Sequence, residues 1–252
     1  MNVLFSNIKE KDKTDAIKDL ISDATPRPSF FFLVALSILM ATLGLLINNS
    51  SIIIGSMLLA PIMSPLLSMA LGIVTAEETV ISWSFITLIK SIIYSLIFAT
   101  LTTWLFGAHV DIYNSEIMSR TEPNIIYLMV AIVSGIATSY ARVKPELNET
   151  LPGTAIAVAL VPPIAVTGIG IATFNWALAT GAFQMFILNC VGIVLSAMLM
   201  FSLMDLYSKR IFTIVTQSKE DKKLKQELEK AKLKKEMQKK RLEVLEKINK
   251  DN

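Results

Sequence analysis

This chain of 252 residues lacks most of the side chains from which catalytic sites are assembled. It has one cysteine, Cys190, and one histidine, His109. An intrachain disulfide is therefore impossible, and a Cys–His pair or a histidine-based metal site cannot be built well within one chain. No His-Glu-x-x-His, phosphate-cradling glycine loop or Gly-x-Ser-x-Gly motif occurs. The long apolar runs also lack a deep acidic pair. We therefore expect no enzyme, no cofactor and no bound metal.

Apolar length is what the chain has instead. It is 53% hydrophobic, with a mean hydropathy of +0.55, which is too apolar for an ordinary soluble domain. A helix needs about 20 apolar residues to cross a bilayer. Six runs meet this condition, at 29–47, 52–74, 81–106, 125–141, 153–174 and 177–203. The sequence predicts an all-α polytopic membrane protein with six transmembrane helices, whose partner is the lipid bilayer and not a nucleic acid.

Most basic residues lie in three segments, and this predicts the orientation. They lie in the N-terminal stretch 1–28, in the connection that carries Arg142 and Lys144, and in the tail 205–252. The other connections hold only Arg120. By the positive-inside rule, both termini face the cytoplasm of a cell-membrane protein. The predicted division is 1–28, membrane repeat 29–106, external linker 107–124, membrane repeat 125–204 and cytoplasmic tail 205–252.

Two of the apolar runs carry glycine and proline at matching places. A shift of 98 residues takes Gly55 to Gly153, Ser56 to Thr154, Pro65 to Pro163 and Gly72 to Gly170. The same shift superimposes spans one to three on spans four to six. Because three is an odd number, the second copy enters from the opposite face. This pattern favours two inverted three-helix repeats whose second and fifth helices are broken by proline.

The paired breaks predict a binding site. Proline removes a backbone donor, and this would free the carbonyls of Met57, Pro61, Val158 and Ala159. Broken backbone survives in a membrane where it lines a wet cavity or is buried in protein. The alternative is that the hydroxyls bond within their own helices and the prolines only kink them for packing. The candidate residues for a small polar or ionic solute are Gly55, Ser56, Ala60, Pro61, Ser64, Pro65, Gly153, Thr154, Pro162, Pro163, Lys90 and Asn189.

Lys90 and Asn189 come from neighbouring spans. Lys90 is the sole basic residue inside a predicted span. A charge at that depth faces water, free carbonyls or an anionic ligand, unless the span begins late enough for it to reach the headgroups. Asn189 is a good interhelical hydrogen-bond donor, and structural bonding is its expected role.

Both polar ends of the chain have helical patterns. Ile17, Leu20, Ile21 and Ala24 recur at helical spacing among charges, which predicts a short amphipathic helix on the inner leaflet or, alternatively, a solvated tail. The tail beyond 205 is rich in lysine and glutamate and has interrupted heptad seams. It is either a solvated charged helix or a coiled coil that would hold a homo-oligomer together.

Four stretches resemble one known family. Residues 54–65 (IGSMLLAPIMSP) and 151–163 (LPGTAIAVALVPP) look like the two signatures of the hydrophobic membrane family catalogued as domain of unknown function 389. Arg27-Pro28-Ser29 and Asn189-Cys190-Val191-Gly192-Ile193 are also similar to it. The resemblance covers about residues 17–205. It implies a prokaryotic polytopic membrane protein and no particular activity.

The leading functional hypothesis is a transporter- or channel-like protein with a solute between the two breaks. A second hypothesis is a membrane sensor or anchor that acts through its basic tail. A third is a lipid-interacting scaffold without a pore, in which the kinks serve packing only.

Overall fold

The computed structural model describes residues 9–25, 27–107, 111–150, 160–209, 212–227, 229–230 and 237, and this part of the chain is helical without strands. Two 3-10 turns cover Pro145–Thr150 and Leu206–Lys209. Residues 212–227 are also helical and are called the tail helix below. The remaining helices are α1 (Glu10–Ala24), α2 (Pro28–Leu46), α3 (Ser50–Leu59), α4 (Met63–Thr75), α5 (Glu78–Phe106), α6 (Ser115–Met118), α7 (Ile125–Val143), α8 (Val161–Ala172) and α9 (Trp176–Leu203).

Four of these helices, α2, α5, α7 and α9, are long and apolar enough to cross a membrane. Helices α3 and α4 form a bent pair with an angle of 47°, which makes a fifth candidate span. The expected span at 153–174 is described only from residue 160 onward. Its helix α8 has 12 residues, or about 18 Å at 1.5 Å per residue, which is too short to cross alone. The described residues thus support a membrane-embedded protein with four or five membrane-capable helices.

Asparagine caps mark one end of the bundle, which we call the loop end. The side chains of Asn49, Asn114, Asn124 and Asn175 accept hydrogen bonds from first-turn amides of α3, α6, α7 and α9. Such caps replace the acceptors that the first amides of a helix lack. The connections also bond to each other: Asn114 Nδ2 donates to Leu45 O at 2.9 Å, and Asn175 Nδ2 contacts Tyr113 Oη at 3.3 Å.

The opposite end, called the basic end, brings the three basic segments together. Arg142 at the end of α7 pairs with Asp23 in α1. Arg27, between α1 and α2, pairs with Glu220 of the tail helix at 2.6 Å. The segments that the positive-inside rule assigns to one side are therefore neighbours in space.

Helix α1 is amphipathic, as predicted, but its apolar face contacts protein. Ile17, Leu20 and Ile21 are fully buried and belong to the hydrophobic core. They pack where α1 meets α4, α5 and α7. Neighbouring helices offer this apolar face a closely packed surface, and the position of α1 at the inner leaflet stays a prediction.

The helix bounds repeat at the 98-residue shift. Helices α2, α4 and α5 coincide with α7, α8 and α9 to within one residue at each end. The ends of α4 and α8 are also alike. Ala76 and Phe174 both have positive φ, at 51° and 55°. The next amides, of Glu77 and Asn175, each donate to the carbonyl of a glycine five residues earlier at 2.9 Å, which is a Schellman-type ending.

The packing partners of these short helices repeat as well. Gly72 of α4 lies against Ile81 of α5, and Gly170 of α8 lies against Ala179 of α9, so each short helix turns back closely onto the long helix after it. In addition α4 packs against α9 and α8 packs against α5. Each short helix therefore contacts both long helices.

Candidate functional site

The first predicted break is present between α3 and α4. The chain leaves helical geometry at Ala60 (φ −79°, ψ 117°), passes through Pro61 and Ile62, and resumes as α4 at Met63. Pro61 has no N–H to offer the carbonyl of Met57 four residues earlier, so α3 cannot continue through it. The result is the 47° bend.

Pro65 does not make a second interruption. It is the third residue of α4, where the amides of a first turn have no intrahelical acceptor, so its missing N–H breaks no bond. The carbonyl of Pro61, which we expected to be freed, accepts from Ser64 N at 3.2 Å. The expectation of a free Pro61 carbonyl is therefore wrong.

The second proline pair has a different setting from the first. Pro162 and Pro163 lie in the first turn of α8, a position that favours proline, and both are buried. Every residue from 161 to 170 is buried. Within the described residues this pair begins a helix and does not interrupt one. Gly153 and Thr154, with the carbonyls of Val158 and Ala159, lie outside the described residues.

Gly55 and Ser56 serve packing in α3. Ser56 Oγ donates to Ile53 O at 2.6 Å, and Ser37 Oγ of α2 donates to Ser56 O at 2.7 Å. A Cβ on Gly55 would lie 2.9 Å from Met40 Cε, the end of a flexible side chain of α2. The alternative in which the hydroxyl bonds within its own helix therefore describes Ser56, whose side chain is fully buried.

Lys90 is exposed, whereas Asn189 is buried. Lys90 is exposed on the outer face of α5, among exposed apolar residues such as Ile86 and Ile93. The structure does not bring it to the break, because the helical register turns it away from the interior. Asn189 is buried in α9 and has an interaction partner, and its interhelical bonding role stays a prediction.

A polar cleft of about 280 Å³ opens beside the first break, at the basic end. Pro61 and Ser64, two of the predicted residues, form one wall of it. The other walls come from the end of α1 and the start of α2, which sequence reasoning did not connect with the break. The full lining is Ser22, Asp23, Thr25, Arg27, Ser29, Phe30, Leu33, Pro61 and Ser64.

Two of the lining residues, Asp23 and Arg27, form ion pairs. Asp23 is held by Arg142, and Arg27 is held by Glu220, whose side chain is only 5% exposed. Lys223 of the tail helix contacts the other oxygen of the same carboxylate at 2.7 Å. The Arg27-Pro28-Ser29 stretch stands out in the sequence only through the family resemblance. Its partner Glu220 lies 193 positions away, in a tail whose many charges give no signal.

A buried row of hydroxyls on α5 is a further feature that the sequence reasoning missed. Ser84, Thr87, Ser91 and Ser95 recur every three or four residues and are all buried. The hydroxyls of Ser84 and Ser95 have no hydrogen-bond partner in the described part of the chain, and neither has that of Ser68 on α4. The spacing of small polar residues within an apolar run was the available signal.

Comparison with known proteins adds two findings. The model of a family described as "Domain of unknown function (DUF389)" matches residues 57–195, a range that contains Pro61, Pro162 and Asn189. An uncharacterized protein of Methanocaldococcus jannaschii is 30% identical over 172 residues, which cover 68% of this chain and 52% of the relative. The chain thus spans about half the length of the curated relative it matches. No solved structure shows a significant match.

Proposed function

The chain belongs to the DUF389 family, and we propose that it is a transporter- or channel-like protein of the cell membrane that binds a small polar or ionic solute beside its first helix break. One observation carries the proposal. The interrupted backbone at Ala60–Ile62 adjoins a polar cleft of about 280 Å³, lined by Pro61 and Ser64. Interrupted helices that border polar cavities are characteristic of solute sites in transporters.

We further propose six membrane crossings in two inverted three-helix repeats. The matching helix bounds and the matching ends of α4 and α8 support the repeat. The sixth crossing is supported by where the neighbouring helices lie. Helix α7 ends beside Asp23 at the basic end, whereas α9 begins beside Tyr113 at the loop end. This arrangement supports one crossing by the chain between α7 and α9.

The proposed mechanism follows from the helix contacts between the two repeats. Helices α4 and α8 each contact both long helices, α5 and α9. A rotation of one repeat against the other would change the α4–α9 and α8–α5 contacts together. The contacts within each repeat, α4–α5 and α8–α9, would be kept. Alternating access by this motion would expose the cleft at the first break to one side at a time. Both termini would face the cytoplasm, since the three basic segments meet at one end.

Flux into proteoliposomes tests the proposal. The purified protein is reconstituted and assayed with a panel of inorganic ions, small organic acids and neutral polar metabolites. We expect uptake of at least one solute, reduced by Ser64→Ala and Arg27→Gln and unchanged by Lys90→Ala, a polar change on the outer face. If folded protein moves none of the panel, transport is excluded as its function.

A membrane sensor or anchor is the second candidate, and one contact favours it. The Arg27–Glu220 pair joins the tail helix to the start of the membrane bundle, so events at the tail could reach the bundle. Deletion of residues 215–252 separates the two functions. Under transport, flux persists without the tail, whereas a sensor or anchor loses its function.

A further inference from the structure

We propose that the cleft at the first break is an oxyanion site, which takes a carboxylate or phosphate group, and that the Glu220 carboxylate of the chain's own tail helix occupies its arginine, Arg27. A free oxyanion and the tail then compete for Arg27. This inference rests on the proposed function and deepens it, because it names the chemical class of the solute and a device that regulates access to it.

The occupant itself is the first argument. Glu220 places a carboxylate at 2.6 Å from Arg27 Nη2, and its side chain is 5% exposed. Removing a carboxylate from water costs several kcal/mol unless cations and hydrogen bonds replace the solvent. Arg27 and Lys223 supply that replacement, one to each carboxylate oxygen. The position is therefore built electrostatically for an oxyanion.

The local charge is the second argument. The ion pairs described around the cleft contain three cations, Arg27, Arg142 and Lys223, and two carboxylates, Asp23 and Glu220. When the tail helix leaves, Lys223 leaves with Glu220, so an excess of one cation remains and Arg27 is without its carboxylate partner. The first turn of α4, which reaches the cleft through Ser64, adds the positive end of a helix dipole. A cation would be repelled by this arrangement, whereas an oxyanion would be attracted.

The nature of the tail contact is the third argument. The buried face of the tail helix consists largely of polar side chains, with Phe212 packed against the core at its start. Burial of polar groups contributes little net free energy to docking, so the ion pair has a large share in it. Arg27 is also 33% exposed, which leaves solvent a route to the pair. The buried polar residues are Thr213, Thr216, Gln217 and Glu220.

Two sources could supply the oxyanion. A soluble phosphate or carboxylate could enter from the aqueous side. A lipid headgroup phosphate could enter from the bilayer, because Phe30 and Leu33 give the cleft an apolar lip. The chemistry at Arg27 is the same for both, so the experiment has to separate them.

Phosphate binding to the full-length protein in nanodiscs is the test. Titration calorimetry at constant ionic strength compares the wild type with Glu220→Gln, Arg27→Gln and the double variant. Glu116→Gln is the matched control, because Glu116 pairs with Arg120 at 2.7 Å, at the loop end. If the tail is docked nine-tenths of the time, Glu220→Gln lowers the apparent Kd for phosphate about tenfold. Arg27→Gln and the double variant lose binding, and Glu116→Gln behaves like the wild type.

The same titration in different bilayers separates the sources. In phosphatidylcholine nanodiscs and in nanodiscs with phosphatidylglycerol, a soluble oxyanion site gives equal Kd values for phosphate. A headgroup site gives a higher Kd when the anionic lipid is present. Equal Kd values for the wild type, Glu220→Gln and Arg27→Gln overturn the proposal in either bilayer.

A second measurement leaves Arg27 and Glu220 intact. Spin labels on the exposed positions Lys18 and Ser218, introduced by Lys18→Cys and Ser218→Cys, report the distance between α1 and the tail helix. We expect phosphate to lengthen this distance. Chloride at the same ionic strength should leave the distance unchanged. No change with phosphate overturns the competition. Flux without these effects rejects the oxyanion site alone, whereas these effects without flux reject transport alone.

Discussion

Gly170→Ala is expected to destabilise the folded protein, although alanine is the better helix former by about 1 kcal/mol. A Cβ at Gly170 would lie 2.6 Å from Ala179 N and 2.9 Å from Ala179 Cα. Both atoms belong to the backbone of α9, which cannot rotate away as a side chain can. Overpacking of this kind costs about 1–3 kcal/mol or more. Because the clashing atoms are backbone, the upper end of that range applies, and after the gain in helix propensity we expect a net loss of about 2 kcal/mol.

Two other glycines provide graded comparisons. At Gly72, the equivalent position in the 98-residue register, a Cβ would lie 3.0 Å from Ile81 N and 2.9 Å from Ile81 Cγ1. We expect a smaller net loss there, because the backbone contact is longer. At Gly55 the close contact is Met40 Cε at 2.9 Å, the end of a flexible side chain that can move. Gly55→Ala should therefore be neutral or slightly stabilising.

The assay is reversible unfolding in mixed micelles, followed by circular dichroism, with Tm in the same detergent as a check. The free energy of unfolding should decrease in the order Gly55→Ala, Gly72→Ala, Gly170→Ala. If Gly170→Ala were as stable as the wild type, or if Gly55→Ala were the most damaging of the three, the described packing of α8 against α9 would be incorrect.

Three further predictions concern single side chains. Ser37→Ala should cost about 1 kcal/mol of unfolding free energy, since it removes the interhelical bond to Ser56 O. Ser91→Ala should be nearly neutral, because Ser91 Oγ bonds within its own helix. Equal losses of stability for the two variants in urea unfolding would contradict this distinction. Cys190 is buried, so a maleimide should label it slowly in the folded protein and fully after denaturation. Rapid labelling of the folded protein would contradict its burial. Lys90→Ala should leave phosphate affinity within twofold of the wild type, because Lys90 lies on the outer face of α5, and calorimetry would expose a larger effect.

Local rules were sufficient to predict the first helix break and the grouping of the three basic segments at one end of the bundle. Proline at 61 cannot donate to Met57 O, and that steric and hydrogen-bonding fact holds in any fold. The prediction failed at Pro65 because the same residue is harmless in a first turn. Whether a proline interrupts a helix or begins one depends on where the preceding helix stops. The end of the preceding helix is determined by the residues on either side of the proline, and not by the proline alone.

The candidate site was only half predictable. Pro61 and Ser64 were recognised from local pattern, but the cleft also needs Arg27, Asp23 and the buried Glu220. Charged residues are common in solvated segments, so their sequence positions carry little information about pairing. The ion pair between positions 27 and 220 is formed only when distant segments converge at the basic end.

Several features of this protein follow from its amino acids alone: the apolar runs, the asymmetric placement of the basic residues, the proline that ends α3 and the glycines repeated at a shift of 98. These depend on composition and on local backbone chemistry, which act over a few residues. Tertiary structure decided which faces meet. It buried the apolar side of α1 against the bundle, turned Lys90 outward and set Glu220 on Arg27. Those outcomes depend on helix rotation and on contacts between segments far apart in the chain, because burial and pairing are properties of the packed assembly.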